Sequence, residues 1–443
     1  MKKPTIQIEP HVDSIIMPEN LRVGLMVAEQ RKKCQNEKKC DAEYYGFAFG
    51  QSPFHVPDQI TRALAANTEK GHYSDAEGIY ELRQAVAGFT KRHFKMEVDP
   101  SEIIIGPGTK QLIHMVFDIV RGDVIIPSPS WIGYFPQIKL LDKHFHTFYM
   151  KPEFGHKIQP EDLDGFLSRI HKEQHILVLN NPHNPTGALY AEAELKAIAD
   201  VCRKHNTFVL ADEIYALTTY QFERFTSMRR IYPEGTFVTN GLSKDRSSGG
   251  YRLGSCIMPE DCPEGLKEDF RKVAATVYTN VSTPTQYAAI TAYEPNEEIE
   301  EYFTVTREIH RIMGQYMSAG FNEIKGIKAT MPEGSFYFFA DFNELADDLK
   351  RKGVGTSNEL GRSLLAHPHH IAAVTGDACM LRPDDYGARI AFVDYDGKQA
   401  YEHFRESPPK TSSDEREFVK KNAPRMVDGV KALEEYVDFI KKR

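Results

Sequence analysis

Five short apolar runs recur between residues 103 and 240 of this 443-residue chain, with longer stretches between them. They read Ile103-Ile104-Ile105-Gly106, Val124-Ile125-Ile126-Pro127, Ile176-Leu177-Val178-Leu179-Asn180, Phe208-Val209-Leu210-Ala211-Asp212 and Phe237-Val238-Thr239-Asn240. Strands that are apolar at successive positions offer no face to water, so they belong in a sheet covered on both sides. Helices between them supply that cover, together with the long crossovers that parallel pairing needs. One such helix carries Leu112, Ile113, Val116 and Ile119 and stops at Arg121-Gly122. Another runs through AELKAIADVCRKHN, where Leu195, Ile198, Ala199 and Val201 form one stripe. The pattern predicts an α/β fold whose mainly parallel sheet is sandwiched by helices.

The texture changes after about Pro295. A charged helix through YFTVTREIHRIMGQYM leads to GSFYFFADF, read as an alternating strand, which predicts a second, smaller α+β domain over residues 296–443. Residues 54–295 form the large domain, and residues 1–53 read as an irregular arm that packs on the small domain or on a partner chain. The polar, Pro/Ser-rich run 406–424 reads as a surface insertion before a last helix through Val427, Val430, Leu433, Tyr436 and Ile440. A formal net charge of -8 with no block of like charge gives no basic patch for nucleic acid or anionic lipid, so neither is expected as a partner. No run of eighteen apolar residues occurs and the N-terminal stretch lacks a signal-peptide core, so the expected location is the cytoplasm. The six cysteines, at 34, 40, 202, 256, 262 and 379, have neither disulfide-framework nor zinc spacing and are expected as reduced thiols.

Three segments lie at or just beyond the carboxyl ends of those strands, where α/β sheets bind ligands. Asn181-Pro182-His183-Asn184-Pro185-Thr186-Gly187 follows one strand, Asp212-Glu213-Ile214-Tyr215 closes another, and Ser243-Lys244 with Gly250-Tyr251-Arg252-Leu253-Gly254 follows a third. Together they hold the groups that operate pyridoxal 5'-phosphate. Lys244 has the amine for a Schiff base with an aldehyde cofactor and can later move a proton. Most lysines are solvated surface charges, but Lys244 follows an apolar strand. Arg252 and Ser243 are within reach of a phosphate. Asp212 can hold a pyridine nitrogen protonated and so make the ring an electron sink, although alone it reads as an N-cap or turn residue. Tyr215 and Asn184 can donate to a phenolate oxygen.

Gly108-Thr109-Lys110 follows the first apolar run and opens a helix, whose free amides and dipole attract an anion. The segment is neither a Walker A loop nor a dinucleotide fingerprint, so a nucleotide is not indicated. Trp131, the only tryptophan, follows Pro127-Ser128-Pro129-Ser130 at another strand exit, where its ring can stack on a flat cofactor.

From about Gly50 to Val393 the chain resembles the fold-type I pyridoxal-phosphate enzymes, specifically the class I/II aminotransferases. The resemblance implies that architecture, and cofactor contacts for Asn184, Asp212, Tyr215, Ser243, Lys244 and Arg252. It implies that Tyr73, in YSDAEGIYELRQAVAGF, crosses a dimer interface to the neighbouring subunit's phosphate, and that Gly50, in FAFGQSPFHVP, lies over the substrate. Arg389, in ARIAFVDYDG, matches the arginine that grips a substrate α-carboxylate in two-pronged fashion, for which a planar guanidinium is suited. The implied assembly is a homodimer with shared active sites, acting on amino-acid and 2-oxo-acid substrates.

The leading reading is transamination between an L-amino acid and a 2-oxo acid by a ping-pong mechanism, with Lys244 as covalent anchor and general acid/base. A lyase or cyclase is the alternative, because SKDRSSGGYRLG is also similar to the aminocyclopropane-carboxylate synthases. A non-catalytic regulator on the same fold is disfavoured by the presence of Lys244 and by the lack of a helix-turn-helix in the first fifty residues. No second cation is assigned to a side-chain carboxylate, so acidic, aromatic and sulfur-containing donors all stay open.

Overall fold

The computed structural model describes residues 6–13, 15, 17–37, 44–170, 172–366 and 368–442, without the side chains of residues 20, 30, 31 and 33–37. Cys40 lies outside the described residues, as does the Cys34 side chain. Cys202, Cys256, Cys262 and Cys379 are free thiols.

Strand β1 (Tyr45–Gly46) comes first. The described residues then form a seven-stranded sheet from β2 (Ile103–Gly106), β3 (Asp123–Ser128), β4 (Phe145–Tyr149), β5 (His175–Asn180), β6 (Thr207–Asp212), β7 (Thr236–Gly241) and β8 (Gly254–Ile257). Their order is β2-β8-β7-β6-β5-β3-β4. Neighbours from β4 through β7 are parallel, and β8 runs antiparallel to both β7 and β2. Five of these strands are the five apolar runs. Alternate residues feed two cores. Ile104, Val124, Ile126, Ile176, Val178 and Leu210 face a layer that includes helices Thr109–Ile119 and Glu264–Val277. Ile105, Ile125, Leu177, Leu179 and Val209 face the other, with helix Glu192–Lys204 and its Leu195, Ile198, Ala199 and Cys202. Strands β4 and β8 do not announce themselves in sequence. β4 is the sheet's edge and only partly buried, so it carries His146, Thr147 and Tyr149, while β8 is a short Gly-Ser-Cys-Ile run.

The last third of the chain adds β9 (Lys328–Ala329), β10 (Tyr337–Asp341), β11 (Ile371–Ala372), β12 (Val374–Thr375) and β13 (Gly387–Ala391). Strands β12-β13-β10-β9 form an antiparallel sheet, and β11 pairs in parallel with β1, which joins the segment before the large sheet to the last third of the chain. The 27-residue helix Glu297–Glu323 packs on the small sheet, with the Phe321 and Phe338 rings edge to face at 5.0 Å.

Three expectations give way here. GSFYFFADF does not alternate: Tyr337 to Ala340 are all buried, because helix Glu297–Glu323 covers one side of β10 while Tyr337 on the other meets Tyr215. Residues 1–53 are not irregular throughout but include helices Pro10–Asp13 and Glu19–Glu37. The longer one is anchored through Val23, in a cluster with Tyr44, Ile132, Leu365 and Val374, while Leu21 and Leu25 stay 48% and 59% exposed, so little amphipathic signal shows. Within 406–424, residues Ser412–Asn422 form a helix that buries Phe418 and Val419. Its start is a capping box: the Asp414 amide donates to Thr411 Oγ1 at 3.2 Å, and the Thr411 amide donates to Asp414 Oδ2 at 3.0 Å. Thr411→Ala should therefore lower stability by about 1 kcal/mol, read as a lower denaturant midpoint at unchanged slope, and an unchanged midpoint would show that the cap contributes nothing.

Candidate active site

The carboxyl ends of β5, β6 and β7 lie side by side, with Asp212 in register with Asn180 and Thr239. Asp212 is 5% exposed. The Tyr134 hydroxyl donates to its Oδ2 at 2.6 Å and the Thr239 hydroxyl approaches Oδ1 at 3.5 Å. Among the described residues no cationic side chain reaches ion-pair distance of it. Burial pushes its carboxyl above the ordinary value, against the Tyr134 hydroxyl, the Ile214 amide and the positive charge of Lys244. Burial, and then the Asp212 charge, push the Tyr134 phenol well up, so it remains a donor.

Lys244 stands three residues past the end of β7, half-buried next to Ser243. Its Nζ donates to the Gly50 carbonyl at 3.0 Å and lies 5.7 and 5.5 Å from the centroids of the Tyr215 and Phe336 rings. The Tyr337 hydroxyl accepts from Tyr215 at 3.2 Å and donates to the same Gly50 carbonyl at 3.3 Å. A Cβ on Gly50 would fall 1.6 Å from the Tyr337 oxygen, so the segment over Lys244 approaches this closely only as glycine. Beyond Lys244 the turn is pinned. Arg246 is fully buried, paired with Asp245 at 2.9 Å and enclosed by the Phe89, Tyr293 and Phe303 rings at 4.5, 4.6 and 5.1 Å. The Ser247 hydroxyl lies 2.6 Å from that of Ser52 and 2.7 Å from that of Tyr302, which ties the same turn to the Gly50 segment.

Arg389, on β13, is 3% exposed. Its Nη2 donates to the Ala48 carbonyl at 2.8 Å and its Nη1 to Asn184 Oδ1 at 3.4 Å, and the guanidinium sits 4.6 Å from the Tyr337 ring centroid. Among the described residues its buried Nε has no hydrogen-bond partner, and no carboxylate reaches ion-pair distance of the group.

At the opposite flank, Gly108 (φ 89°) precedes helix Thr109–Ile119, and no side chain caps that helix start. Arg252, itself at φ 51°, donates to the carbonyls of Gly249 at 2.9 Å and Pro107 at 3.3 Å. A Cβ at 108 would meet its Nη2 at 2.3 Å. The Lys110 amine lies 5.4 Å from the Trp131 ring centroid, and partial burial, then the charges of Arg252 and Lys244, push it below the ordinary lysine value. The Trp131 ring in turn meets Tyr134 edge to face at 5.0 Å.

Thus Gly50, Asn184, Tyr215, Lys244 and Arg389 come together around Tyr337, while Gly108, Thr109, Lys110, Trp131 and Arg252 gather beside Tyr134 and Asp212. Tyr73 stands apart from them, 85% exposed. Sequence reasoning missed Tyr134, Thr239 and Tyr337. Tyr134 had a faint signal, three residues after Trp131, whereas Tyr337 reaches the site only through the packing of β10. The donor set fits pyridoxal 5'-phosphate: a buried carboxyl with no cation at ion-pair distance among the described residues suits a ring nitrogen, and a helix start that no side chain caps, beside Arg252, suits a phosphate.

Glu213, the next residue after Asp212, faces away. Its Oε1 accepts from the Ser227 hydroxyl at 2.9 Å and the Met228 amide at 2.8 Å, and burial pushes its carboxyl up to about 8.

Comparison with known proteins agrees with this geometry. The sequence signature of the family described as Aminotransferase class I and II matches residues 42–394. The aspartate aminotransferase of Bacillus subtilis (strain 168) is 32% identical over 356 residues, covering 78% of this chain and 86% of its own. The asparagine-oxo-acid transaminase of Streptococcus mutans is 31% identical over 339 residues, covering 74% and 82%. Among solved structures, the aspartate aminotransferase from Thermus thermophilus with maleate has a TM-score of 0.78 at 22% identity, covering 98% of this chain and 100% of that one, a likeness of fold. These relatives favour transamination over the lyase reading.

The Glu213 carboxyl sets a pH dependence of stability. Its folded value of about 8 exceeds its ordinary 4.5, so the unfolded chain releases a proton that the native state keeps. Its contribution is full below the ordinary value and is lost as pH rises through about 8. Relative to Glu213→Gln, the unsubstituted protein should lose up to about 1.4 kcal/mol per pH unit within that window, measured as diverging urea midpoints. Parallel curves would mean that Glu213 is ionised in the fold.

Proposed function

The chain belongs to the class I and II aminotransferases, enzymes that use pyridoxal 5'-phosphate to pass an amino group between an amino acid and a 2-oxo acid by a ping-pong mechanism, and from that premise we propose how its own residues divide the work. When bound, the cofactor supplies an aldehyde that captures amines covalently and a pyridinium ring that takes up the electrons of the broken Cα–H bond. Lys244 is the amine that holds it between turnovers and, once displaced by substrate, the base that moves the Cα proton. Asp212 stabilises the protonated ring nitrogen, and the Tyr134 hydroxyl keeps its carboxylate in place. Tyr215 and Asn184 donate to the phenolate oxygen, and Trp131 stacks on the ring. The amides of Thr109 and Lys110, with Ser243 and Arg252, take the phosphate, and Gly108, whose own amide donates to the Gly106 carbonyl at 2.7 Å, lets the backbone come close.

Arg389 binds the substrate α-carboxylate with both arms of its guanidinium, and Gly50 closes over it. The buried, unpaired guanidinium of Arg389 is the observation that carries this reading, because a cation that lacks an internal anion is left to an anionic ligand. Lys110 is the second cation, one the sequence did not assign, and it favours a donor with a second carboxylate. The preferred donor in this reading is aspartate, which the names of the curated relatives support. The large domain of residues 54–295 carries the cofactor groups, and a small domain of residues 296–443 with the 1–53 arm carries Arg389 and Gly50. The enzyme works as a homodimer in which Tyr73, exposed in the single chain, reaches the partner's phosphate. It acts in the cytoplasm, as free thiols favour. Among the described residues no helix is long and apolar enough to cross a membrane.

The direct test adds single amino acids, without any acceptor, to the cofactor-loaded enzyme. Aspartate should give one equivalent of 2-oxo acid and a lasting change in the cofactor's visible absorbance, whereas product accumulating over many turnovers would mean a lyase. Lys244→Ala should abolish turnover while leaving a folded protein that still takes up cofactor, and full residual activity would reject the assignment. Arg389→Lys should raise KM for aspartate on the order of a hundredfold with little change in cofactor affinity. Unchanged KM would mean that another residue holds the α-carboxylate.

A further inference from the structure

The amino ends of β3 and β4, at the other end of the same sheet from the site of Lys244, carry a second constellation. Asp123 opens β3, and β4 pairs with it so that Val124 lies opposite Phe145 and Ile125 opposite His146. His144 is therefore level with Asp123, and His146 follows on the same face of the edge strand. His144 Nδ1 lies 3.2 Å and His146 Nε2 2.9 Å from the same carboxylate oxygen, Asp123 Oδ2. The three donor atoms all lie within 4.8 Å of one another. An ion that binds nitrogen and oxygen ligands tetrahedrally at about 2.1 Å sets them about 3.4 Å apart, close to both observed separations. Lys172 Nζ stands 3.9 Å from the other oxygen, Oδ1, and so leaves Oδ2 to the two rings.

Asp123 Oδ2 thus faces two ring nitrogens at once. An ionised oxygen faced by two imidazoles is satisfied either by two ring protons or by one shared cation. Imidazole nitrogen selects zinc and its neighbours over magnesium and calcium, which prefer oxygen. Access is open, because Asp123, His144 and Lys172 line a cleft of about 700 Å³ and His144 is 70% exposed.

We propose that Asp123, His144 and His146 form a binding site for a divalent metal of the zinc type, which clamps the edge strand β4 to β3 and takes no part in transamination. Two imidazoles and a carboxylate leave room for a water as fourth ligand.

The test titrates ZnCl2 into cofactor-loaded enzyme freed of metal with EDTA, followed by calorimetry and thermal unfolding. The expected result is one Zn²⁺ per chain with a higher Tm. His144→Ala and His146→Ala should each weaken binding at least about tenfold, and together remove it, with the metal-free turnover unchanged. Co²⁺ should show the visible bands of a four-coordinate ion in the unsubstituted enzyme and not in the double variant. Zinc binding that survives the double substitution, affinity confined to millimolar zinc, or a Co²⁺ spectrum like that of the aqueous ion would each overturn the site. A zinc-dependent change in kcat that the double variant abolishes would overturn its separation from catalysis.

Discussion

A buried carboxyl, Asp212, and a buried guanidinium, Arg389, each lack an ion-pair partner among the described residues. Each ion removed from water costs several kcal/mol unless a partner repays it. Asp212 is held at the end of β6 by Tyr134, and Arg389 is held on β13 by the Ala48 carbonyl and Asn184. Neither can relax toward the other without breaking those bonds. The fold thus carries an electrostatic cost, which in the proposed reading a cationic ring nitrogen and a substrate carboxylate relieve. Affinity for two ligands is therefore written into the position of two side chains rather than into the size of a cavity.

The sheet makes that separation possible. Parallel strands bring Asn180, Asp212 and Thr239 into one row at their carboxyl ends, while antiparallel β8 returns the chain so that Gly254 packs against the start of helix Thr109–Ile119. Gly254 could bear no side chain there, since a Cβ would meet the Thr109 amide nitrogen at 2.7 Å. The Gly108 loop, the Arg252 turn and the strand that follows it are thus one packed unit. The Gly50 segment is held by several groups: its Gly50 carbonyl accepts from Lys244 and Tyr337, its Ala48 carbonyl accepts from Arg389, and its Ser52 hydroxyl lies 2.6 Å from that of Ser247. The floor of the site is thus set by the sheet, and the segment over Lys244 by groups from several elements.

What was legible in the sequence follows this division. Apolar runs without alternation identified five core strands, because burial on both faces leaves a local trace. Lys244, Asp212, Asn184 and Arg252 were legible because each sits within a few residues of a strand end that positions it. Arg389 was reached through resemblance alone, since nothing in ARIAFVDYDG shows that its guanidinium is buried without a partner. Tyr337 and Tyr134 act through contacts that span 122 and 78 residues, and no local pattern encodes those. The helix Ser412–Asn422 was a different kind of miss. Its Thr-x-x-Asp start was in plain view, but the polar composition around it outweighed the cap. His144 and His146 show the same limit, because their spacing is visible while Asp123 joins them only through the parallel register of β3 and β4.

The adjacent acids Asp212 and Glu213 show how the backbone sorts chemistry at one strand end. Successive side chains point to opposite faces, so one turns to Tyr134 and Thr239 and the other to Ser227 and Met228. Both are buried, and burial pushes both carboxyls up, yet their surroundings differ in sign. Lys244 acts on Asp212 and favours its charge, whereas the nearest charge acting on Glu213 is Asp212 itself, which opposes a second negative one. With Glu213 neutral, a single negative charge is concentrated at the end of β6, and it lies on the face where a ring nitrogen would meet it. Two anions at that position would compete for one cation, and the strand's alternation prevents this by placing the second acid among hydrogen-bond donors instead.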